Sequence, residues 1–426
     1  MKFSICNLGC KVNAYEAECT ASALLEKGWE RVSFDEQADA ALIFTCAVTN
    51  TAAAKSRKML HRIRRLCPSC ITAVVGCYAQ INDGLLEEAD IILGSKEKNR
   101  LVECLEVFMK DHQPIRMIDE LAGMPFEPML ASSFDNHSRA YLKIQDGCNQ
   151  FCSYCIIPYA RGRERSMAPE TVIAQMKKIA ERYRETVLTG IHTGRYGKEH
   201  GVSLSQLIRR ILEETDIGRI RISSIEITEI DDDLISLMEQ YPDRIARHLH
   251  IPLQSGSDEI LMAMHRPYTT EQYYARIEEI RNRLGHVSIS CDLMCGFPGE
   301  TEEYHKQAMA FVEKCGFAFL HVFPFSEREG TPASTMPDPV PVNVRKSRAK
   351  EVISLSEKLA CTYQTGRIGQ EDTIVAETYK DGYTTGYTSD YIQVHVKGHL
   401  PQGKMIPVVL EQYEDGKMYA KEREVK

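Results

Sequence analysis

The stretch IQDGCNQFCSYCIIPYARGRERS, residues 144 to 166, sets Cys148, Cys152 and Cys155 in a C-x3-C-x2-C triplet directly after a strand-like apolar run. Three thiolates are an incomplete ligand set. A four-iron, four-sulfur cluster has four corner irons and suits soft thiolate ligands, so three cysteines would hold three corners and leave the fourth open to a small molecule. On spacing alone, a partial zinc knuckle or unrelated core thiols stay open as readings. Zinc, however, wants a fourth Cys or His close by, and the first histidine after the triplet is His192.

Outward from the triplet, strand candidates at 141–145, 186–191, 219–225, 248–252, 288–294 and 320–323 alternate with amphipathic helices, as at 169–183, 204–214, 270–284 and 301–315. The repetition predicts a partial or full β/α barrel over residues 139–340, where chemistry gathers at the carboxyl ends of the strands. Polar and glycine residues fall at those ends: Thr189 and Gly190, Ser224 and Glu226, Gln254 to Ser257, and Asp292 with GFPGET. Glu226 suits a hydroxyl or ammonium of a ligand and equally a structural ion pair. His192, His248 and His250 read as satisfied core groups, and Cys291 and Cys295 as packing residues. Arg161, Arg163 and Arg165, placed at the barrel mouth, would meet phosphates of a large substrate.

Residues 1–125 alternate differently. Short strands at 3–6, 40–45, 72–75 and 90–93, with helices at 14–27, 51–66 and 82–88, predict a doubly wound parallel sheet. Cys10, Cys46 and Cys77 each come just after a strand, in NLGCKVN, FTCAVTN and VVGCYAQ. The carboxyl ends of parallel strands share one edge, so three thiols far apart in sequence can converge there. Each thiol taken singly reads as a buried small hydrophobe. As a set they predict a second three-cysteine site facing the first. Cys67 and Cys70 precede a strand and belong at the opposite edge; Cys6, Cys19 and Cys104 sit in apolar patterns. Lys55, Arg57, Lys58, Arg62, Arg64 and Arg65 crowd one helix, as a phosphate-binding face or a plain solvated one.

After a linker at 126–138 and the barrel, a helix over 343–365 leads into short alternating strands over 365–426, broken by DG, KGHLPQGK and EDG turns. They predict a small antiparallel β-barrel of about five strands. Such barrels hold looped nucleic acid, and Tyr383, Tyr387, Tyr391, Lys397 and Lys404 suit stacking and phosphate contact. A packing module that closes the barrel mouth is the other reading. The chain is 43% hydrophobic and 26% charged with fifteen cysteines and a formal net charge of -8. It has no apolar run of about 18 residues and no signal-peptide pattern at its start, so a cytoplasmic, reducing location without membrane contact is expected, and disulfides are not.

These motifs together resemble those of the radical S-adenosylmethionine methylthiotransferases. The likeness covers three spaced cysteines, CNQFCSYC, SSIEITEI, HIPLQSGSDEILMAMHRPYT, GFPGET, HVFPFSEREGTPA and a last module similar to the TRAM RNA-binding domain. It departs at Ile227 and Thr228, where the family often has a proline soon after the glutamate. LGCKVNAYEAE and VVGCYAQ look most like the branch that acts on N6-threonylcarbamoyladenosine at position 37 of tRNA; other branches take isopentenyladenosine or a ribosomal-protein aspartate. The resemblance implies two [4Fe-4S] clusters, on Cys148, Cys152 and Cys155 and on Cys10, Cys46 and Cys77, with Tyr154 against the adenine of S-adenosylmethionine. Thr189, Gly190, Ser224 and Glu226 are the remaining candidate cofactor contacts. It implies reductive cleavage of the cofactor to a 5′-deoxyadenosyl radical that activates C2 of the adenine. Also implied are the tRNA anticodon loop as partner, a reductant such as flavodoxin or ferredoxin, and a sulfur donor. A monomer is the default. An iron–sulfur RNA-binding or electron-transfer protein without turnover is the rival from another class.

Overall fold

A computed structural model describes residues 1–34, 36–131 and 138–423. Six parallel strands, β1 (Lys2–Asn7), β2 (Glu30–Arg31), β3 (Ala40–Thr45), β4 (Ile71–Gly76), β5 (Ile91–Leu93) and β6 (Ile115–Met117), form the first sheet in the order β2-β1-β3-β4-β5-β6. Helices α1 (Lys11–Glu26), α2 (Asn50–Leu66), α3 (Cys77–Asn82) and α4 (Leu101–Asp111) cover it. Side chains of β3 alternate faces, as a strand must. Leu42 and Phe44 pack with Leu24 of α1 and Leu105 of α4, while Ile43 packs with Leu60 of α2 and Tyr78 of α3. The doubly wound expectation holds. The helix expected over 82–88 instead starts at Cys77, because Gly76, at φ +108°, turns the chain sharply at the strand end.

The second unit begins with β7 (Ala140–Lys143). An antiparallel pair, β8 (Gln145–Asp146) and β9 (Arg165–Ser166), then brackets the cysteine loop and the short helix α5 (Ile157–Arg161). Next come α6 (Pro169–Arg182), β10 (Glu185–Thr189), α7 (Leu204–Glu214), β11 (Arg219–Ile222), α8 (Asp232–Gln240), β12 (His248–His250), α9 (Asp258–Ala263), α10 (Thr270–Leu284), β13 (Ser288–Cys295), α11 (Glu302–Cys315), β14 (Phe319–Pro324) and α12 (Val342–Thr365). The order β7-β10-β11 continues into β12-β13-β14 through bridges Ile220–Ile245 and Ser224–His250, so six parallel strands make a partial barrel. Helix starts are signalled locally: Ser203 with Gln206 and Thr269 with Gln272 form capping boxes on α7 and α10.

The last unit is a closed barrel of β15 (Glu371–Lys380), β16 (Tyr383–Tyr387), β17 (Gln393–Lys397), β18 (Met405–Glu414) and β19 (Lys417–Glu422), in the order β15-β16-β17-β19-β18. Four pairings are antiparallel and β17–β19 is parallel. A closed ring with an odd number of strands cannot alternate direction throughout, so one parallel seam is unavoidable.

This barrel is clamped onto the larger one. Glu185 at the start of β10 is fully buried and pairs with Arg219 and Arg221 of β11 and with Arg139. Arg219 donates to the Thr373 carbonyl at 2.8 Å, Arg221 to those of Thr388 and Ser389 at 3.0 and 3.1 Å, and Arg139 pairs with Glu377 at 2.8 Å. Among the described residues no helix is long and apolar enough to cross a membrane. The linker expected at 126–138 lies partly outside those residues.

Candidate functional site

The amino-terminal thiols converge because the register demands it. Thr45 pairs with Gly76 across β3 and β4, so Cys46 and Cys77 leave the sheet side by side. Asn7 pairs with Phe44, and Cys10, shortly after, caps α1. The Val48 amide donates to the Cys46 sulfur at 3.5 Å, and the Arg161 guanidinium donates to the Cys77 sulfur at 3.2 Å. Burial, with the other two thiols of the set, pushes Cys46 up to about 11. Burial also raises Cys77, against the pull of Arg161 and Lys98.

The triplet loop is pinned by glycine. Gly147 sits at φ +71°, and a Cβ there would lie 1.9 Å from the Arg163 carbonyl oxygen, so no other residue fits before Cys148. The Gln150 amide donates to the Cys148 sulfur at 3.4 Å, with His192 Nδ1 also at 3.4 Å. Arg266 donates to the Cys152 sulfur at 3.2 Å and pairs with Glu226. Burial pushes Cys155 up to about 12. N–H donors aimed at sulfur suit thiolates bound to iron, whose clusters are tuned by such hydrogen bonds. Among the described residues no three His, Cys, Asp or Glu side chains come close enough together to hold a single metal ion. A cluster asks less of them, since its thiolates stand at separate corner irons.

The two thiol sets are joined by a buried charge cluster. Arg161, the last residue of α5, is fully buried; it pairs with Glu16 of α1 at 3.1 Å and Asp146 at 3.0 Å and also donates to Asn13. Lys98 and Lys143 reach Glu16 at 2.6 and 2.9 Å, and Arg165 reaches Asp146 at 3.2 Å. Burial alone would raise the Glu16 carboxyl, but Arg161, Lys143 and Lys98 outweigh it and hold it well below the usual range. Four cations against two carboxylates leave two positive charges in a buried place. An anionic centre at Cys77 would balance them. The expectation that Arg161 and Arg165 meet phosphates is therefore wrong: both guanidiniums are spent inside the protein, and Arg163 lies over the Phe151 ring at 4.5 Å. On the basic helix, Arg64 is tied to Asp90 at 2.7 Å and Arg57 to Tyr78, whereas Lys55, Lys58, Arg62 and Arg65 are exposed.

Two cavities adjoin the thiols. One, of about 450 Å³, is walled by Cys10, Lys11 and Val12, by the strand-end residues Thr189, Gly190, Ser223, Ser224, His248, His250 and Asp292, and by Phe319, His321 and Tyr391. The other, of about 340 Å³, has Tyr154, Cys155 and Ile156 on one side and Met294, Phe323, Phe325 and Ser326 on the other, closed by Val48 and Thr49 of the first unit. Asp292 borders both. Its carboxylate pairs with His250 at 3.2 Å. The first unit is latched here by Asn50, whose amide donates to the Ser326 hydroxyl at 3.1 Å, and by Arg328, which donates to the Val48 carbonyl at 3.2 Å.

The expected cofactor contacts therefore divide. Tyr154 stands with Cys155 in the apolar cavity, while Thr189, Gly190 and Ser224 stand with Cys10 in the polar one. Glu226 is on the wall of neither and is held by Arg266. His248 and His250 both hydrogen-bond Ser290, but they line the polar cavity rather than the core. Among the described residues His248 Nδ1 is buried without a hydrogen-bond partner, so the expectation of satisfied core groups fails for His248; Cys291 and Cys295 are buried packing residues. Of the tyrosines expected to stack on nucleic acid, Tyr391 lies face to face with His248 at 4.9 Å and with Tyr387 at 4.7 Å, so it roofs the polar cavity. Sequence reasoning missed Lys11, His321, Phe319, Arg266 and Glu16. Lys11, next to Cys10 in sequence, carried the one available signal.

Comparison with known proteins follows the same division. Residues 142–312 match the Radical SAM superfamily, and residues 2–94 match the Uncharacterized protein family UPF0004. The threonylcarbamoyladenosine tRNA methylthiotransferase MtaB of Bacillus subtilis (strain 168) is 41% identical over 366 residues, 84% of this chain and 80% of the relative. The tRNA-2-methylthio-N(6)-dimethylallyladenosine synthase of Moorella thermoacetica is 31% identical over 88% of this chain and 87% of its own. Among solved structures, the cobalamin-dependent S-adenosylmethionine radical enzyme OxsB, with aqua-cobalamin and S-adenosylmethionine bound, aligns at a TM-score of 0.50 and 12% identity over 84% of this chain and 56% of that one, a likeness of fold.

Proposed function

Since the chain belongs to the radical S-adenosylmethionine tRNA methylthiotransferases, we propose that its substrate is N6-threonylcarbamoyladenosine at position 37 of tRNA, which it converts to the 2-methylthio derivative. One observation supports radical chemistry on a base beyond family membership: a polar cavity bordered by Cys10 of one thiol set and an apolar cavity bordered by Cys155 of the other share Asp292 as a wall. A base in the first cavity would face a cofactor in the second.

The C2–H bond of an adenine is unactivated, and no side-chain acid or base opens it at neutral pH. Cys148, Cys152 and Cys155 would hold a cluster that with S-adenosylmethionine would supply radical chemistry for that bond, and Cys10, Cys46 and Cys77 would hold a second cluster that would carry the sulfur provided by a donor. The protein's part is position. Tyr154, with Phe323 and Met294 around it, would take the cofactor's adenine, and Thr189, Gly190 and Ser224 would bond polar groups across the first cavity. Glu226 would act through Arg266, which already donates to Cys152. Tyr391, already stacked between His248 and Tyr387, would roof the cavity that takes a base drawn out of the anticodon loop. A reductant such as flavodoxin or ferredoxin, a sulfur donor, a monomeric state and a cytoplasmic location complete the proposal.

The test is anaerobic reconstitution with S-adenosylmethionine, dithionite and tRNA lacking the methylthio group, followed by mass spectrometry of the nucleosides. The expected product is 2-methylthio-threonylcarbamoyladenosine. Product on dimethylallyladenosine alone would overturn the substrate assignment in favour of the chemistry named for the Moorella relative. Iron content gives a separate prediction: about eight per chain, falling to about four when either Cys10, Cys46 and Cys77 or Cys148, Cys152 and Cys155 are all replaced by alanine. About four in the unaltered protein would refute the second cluster.

A further inference from the structure

We propose that Lys11 selects the substrate, its ammonium pairing with a carboxylate carried on the N6 substituent of the adenine. The proposal rests on the substrate reading above and deepens it. Lys11 is the first residue of α1 and follows Cys10 on the wall of the polar cavity. Among the described residues no Asp or Glu lies within ion-pair distance of its ammonium. The acidic residue on that wall, Asp292, is paired with His250, and the guanidiniums of Arg139 and Arg221 behind the wall are paired with Glu185.

Its position is electrostatically adverse. The first turn of α1 contains no acidic residue, and a helix amino terminus favours anions and disfavours a cation. Lys11 is exposed to the cavity, and Cys10 and Asp292 on the same wall act on it without forming an ion pair, so its ammonium is open to an incoming anion. The free amides of α1 and the Lys11 ammonium point to the same visitor, a carboxylate. The remaining wall is neutral: burial and the cations around His248 keep it well below its ordinary range, and burial lowers His321. A threonylcarbamoyl group carries a carboxylate. A dimethylallyl group offers nothing for Lys11 to bind, so the same residue would favour one substrate over the other.

The experiment measures binding rather than turnover. Cluster-loaded protein with S-adenosylmethionine and no reductant is titrated into fluorescent anticodon stem-loops bearing threonylcarbamoyladenosine, its neutral methyl ester, or dimethylallyladenosine. The unaltered protein should prefer the free carboxylate over the ester by about tenfold or more. Lys11→Met should reduce that preference to less than about twofold while leaving ester binding, iron content and the visible spectrum unchanged; Lys11→Arg should keep most of it. If Lys11→Met retains the preference, Lys11 serves only to balance the thiolate at Cys10 and the proposal falls while the substrate reading stands. If the unaltered protein binds the free carboxylate and the ester alike, the proposal falls while the substrate reading stands; if it prefers the dimethylallyladenosine stem-loop to both, the substrate reading falls and takes the proposal with it. The ester comparison needs no variant, so a misfolded mutant cannot shelter the idea.

Discussion

Arg161→Met lowers the stability of the folded chain by about 1 to 3 kcal/mol, because a methionine of similar length leaves acceptors on Glu16, Asp146, Asn13 and Cys77 buried without their donor, although Lys98, Lys143 and Arg165 still neutralise the two carboxylates. Arg161 sits on the helix that follows the cysteine triplet, Glu16 on the first helix of the amino-terminal sheet, and Asp146 on the strand before the triplet. Its guanidinium thus spans the joint between two units and reaches the Cys77 sulfur as well. Lys143 remains as a second bridge, pairing with both Glu16 and Asp146, while Lys98 reaches only Glu16 and Arg165 only Asp146. Arg161→Lys should recover less than half of the loss, since an ammonium cannot serve two carboxylates, Asn13 and a sulfur with one fork. Urea denaturation gives the magnitude, and limited proteolysis should show the first unit released early. A variant as stable as the parent would mean that the joint is held by the latches at Asn50 and Arg328 instead.

Glu185→Gln detaches the carboxyl-terminal barrel, at a cost of about 3 to 5 kcal/mol, by leaving Arg139, Arg219 and Arg221 buried around a neutral amide. Two of those arginines hold backbone carbonyls of the small barrel and the third holds Glu377, so the lost charge loosens the whole seam. The pH dependence carries a sign. Burial alone would raise the Glu185 carboxyl, yet Arg219, Arg221 and Arg139 outweigh it and hold the folded-state value well below the usual carboxylate range. A depressed acid stabilises above its unfolded value of about 4.3, and that stabilisation disappears as pH falls from there towards the folded value. The gap in melting temperature between the parent and Glu185→Gln should therefore be full at pH 7 and shrink below about pH 4. A gap that is constant across that window would show that the carboxylate is not the charged keystone of the seam.

Much of the site is legible in the sequence, because strand ends are legible. Cys46 and Cys77 follow apolar runs whose carboxyl ends share an edge in any parallel sheet, and Cys67 and Cys70, before their strand, fall at the other edge. The triplet is local and needs no folding to be seen. What escapes is long-range charge pairing: RGRER reads as a run that meets phosphates until Glu16, far upstream, folds against it. Tyr391 is similar. Its place in the chain suggests a free stacking platform, whereas the docked barrel presses it onto His248. Lys11 is visible as a letter beside a cysteine, but that it lacks a partner is a property of the folded cavity.

The Arg161 to Cys77 contact also bears on the order in which the protein is built. The amino-terminal sheet leaves the ribosome first, with Cys10, Cys46 and Cys77 already on one edge, yet the donor to the Cys77 sulfur arrives only with residue 161. The nascent first unit therefore exposes an unfinished thiol site until the triplet segment has been synthesised and docked. The two thiol sets come together in a single docking event, and a chain stalled before that segment is the form most open to oxidation.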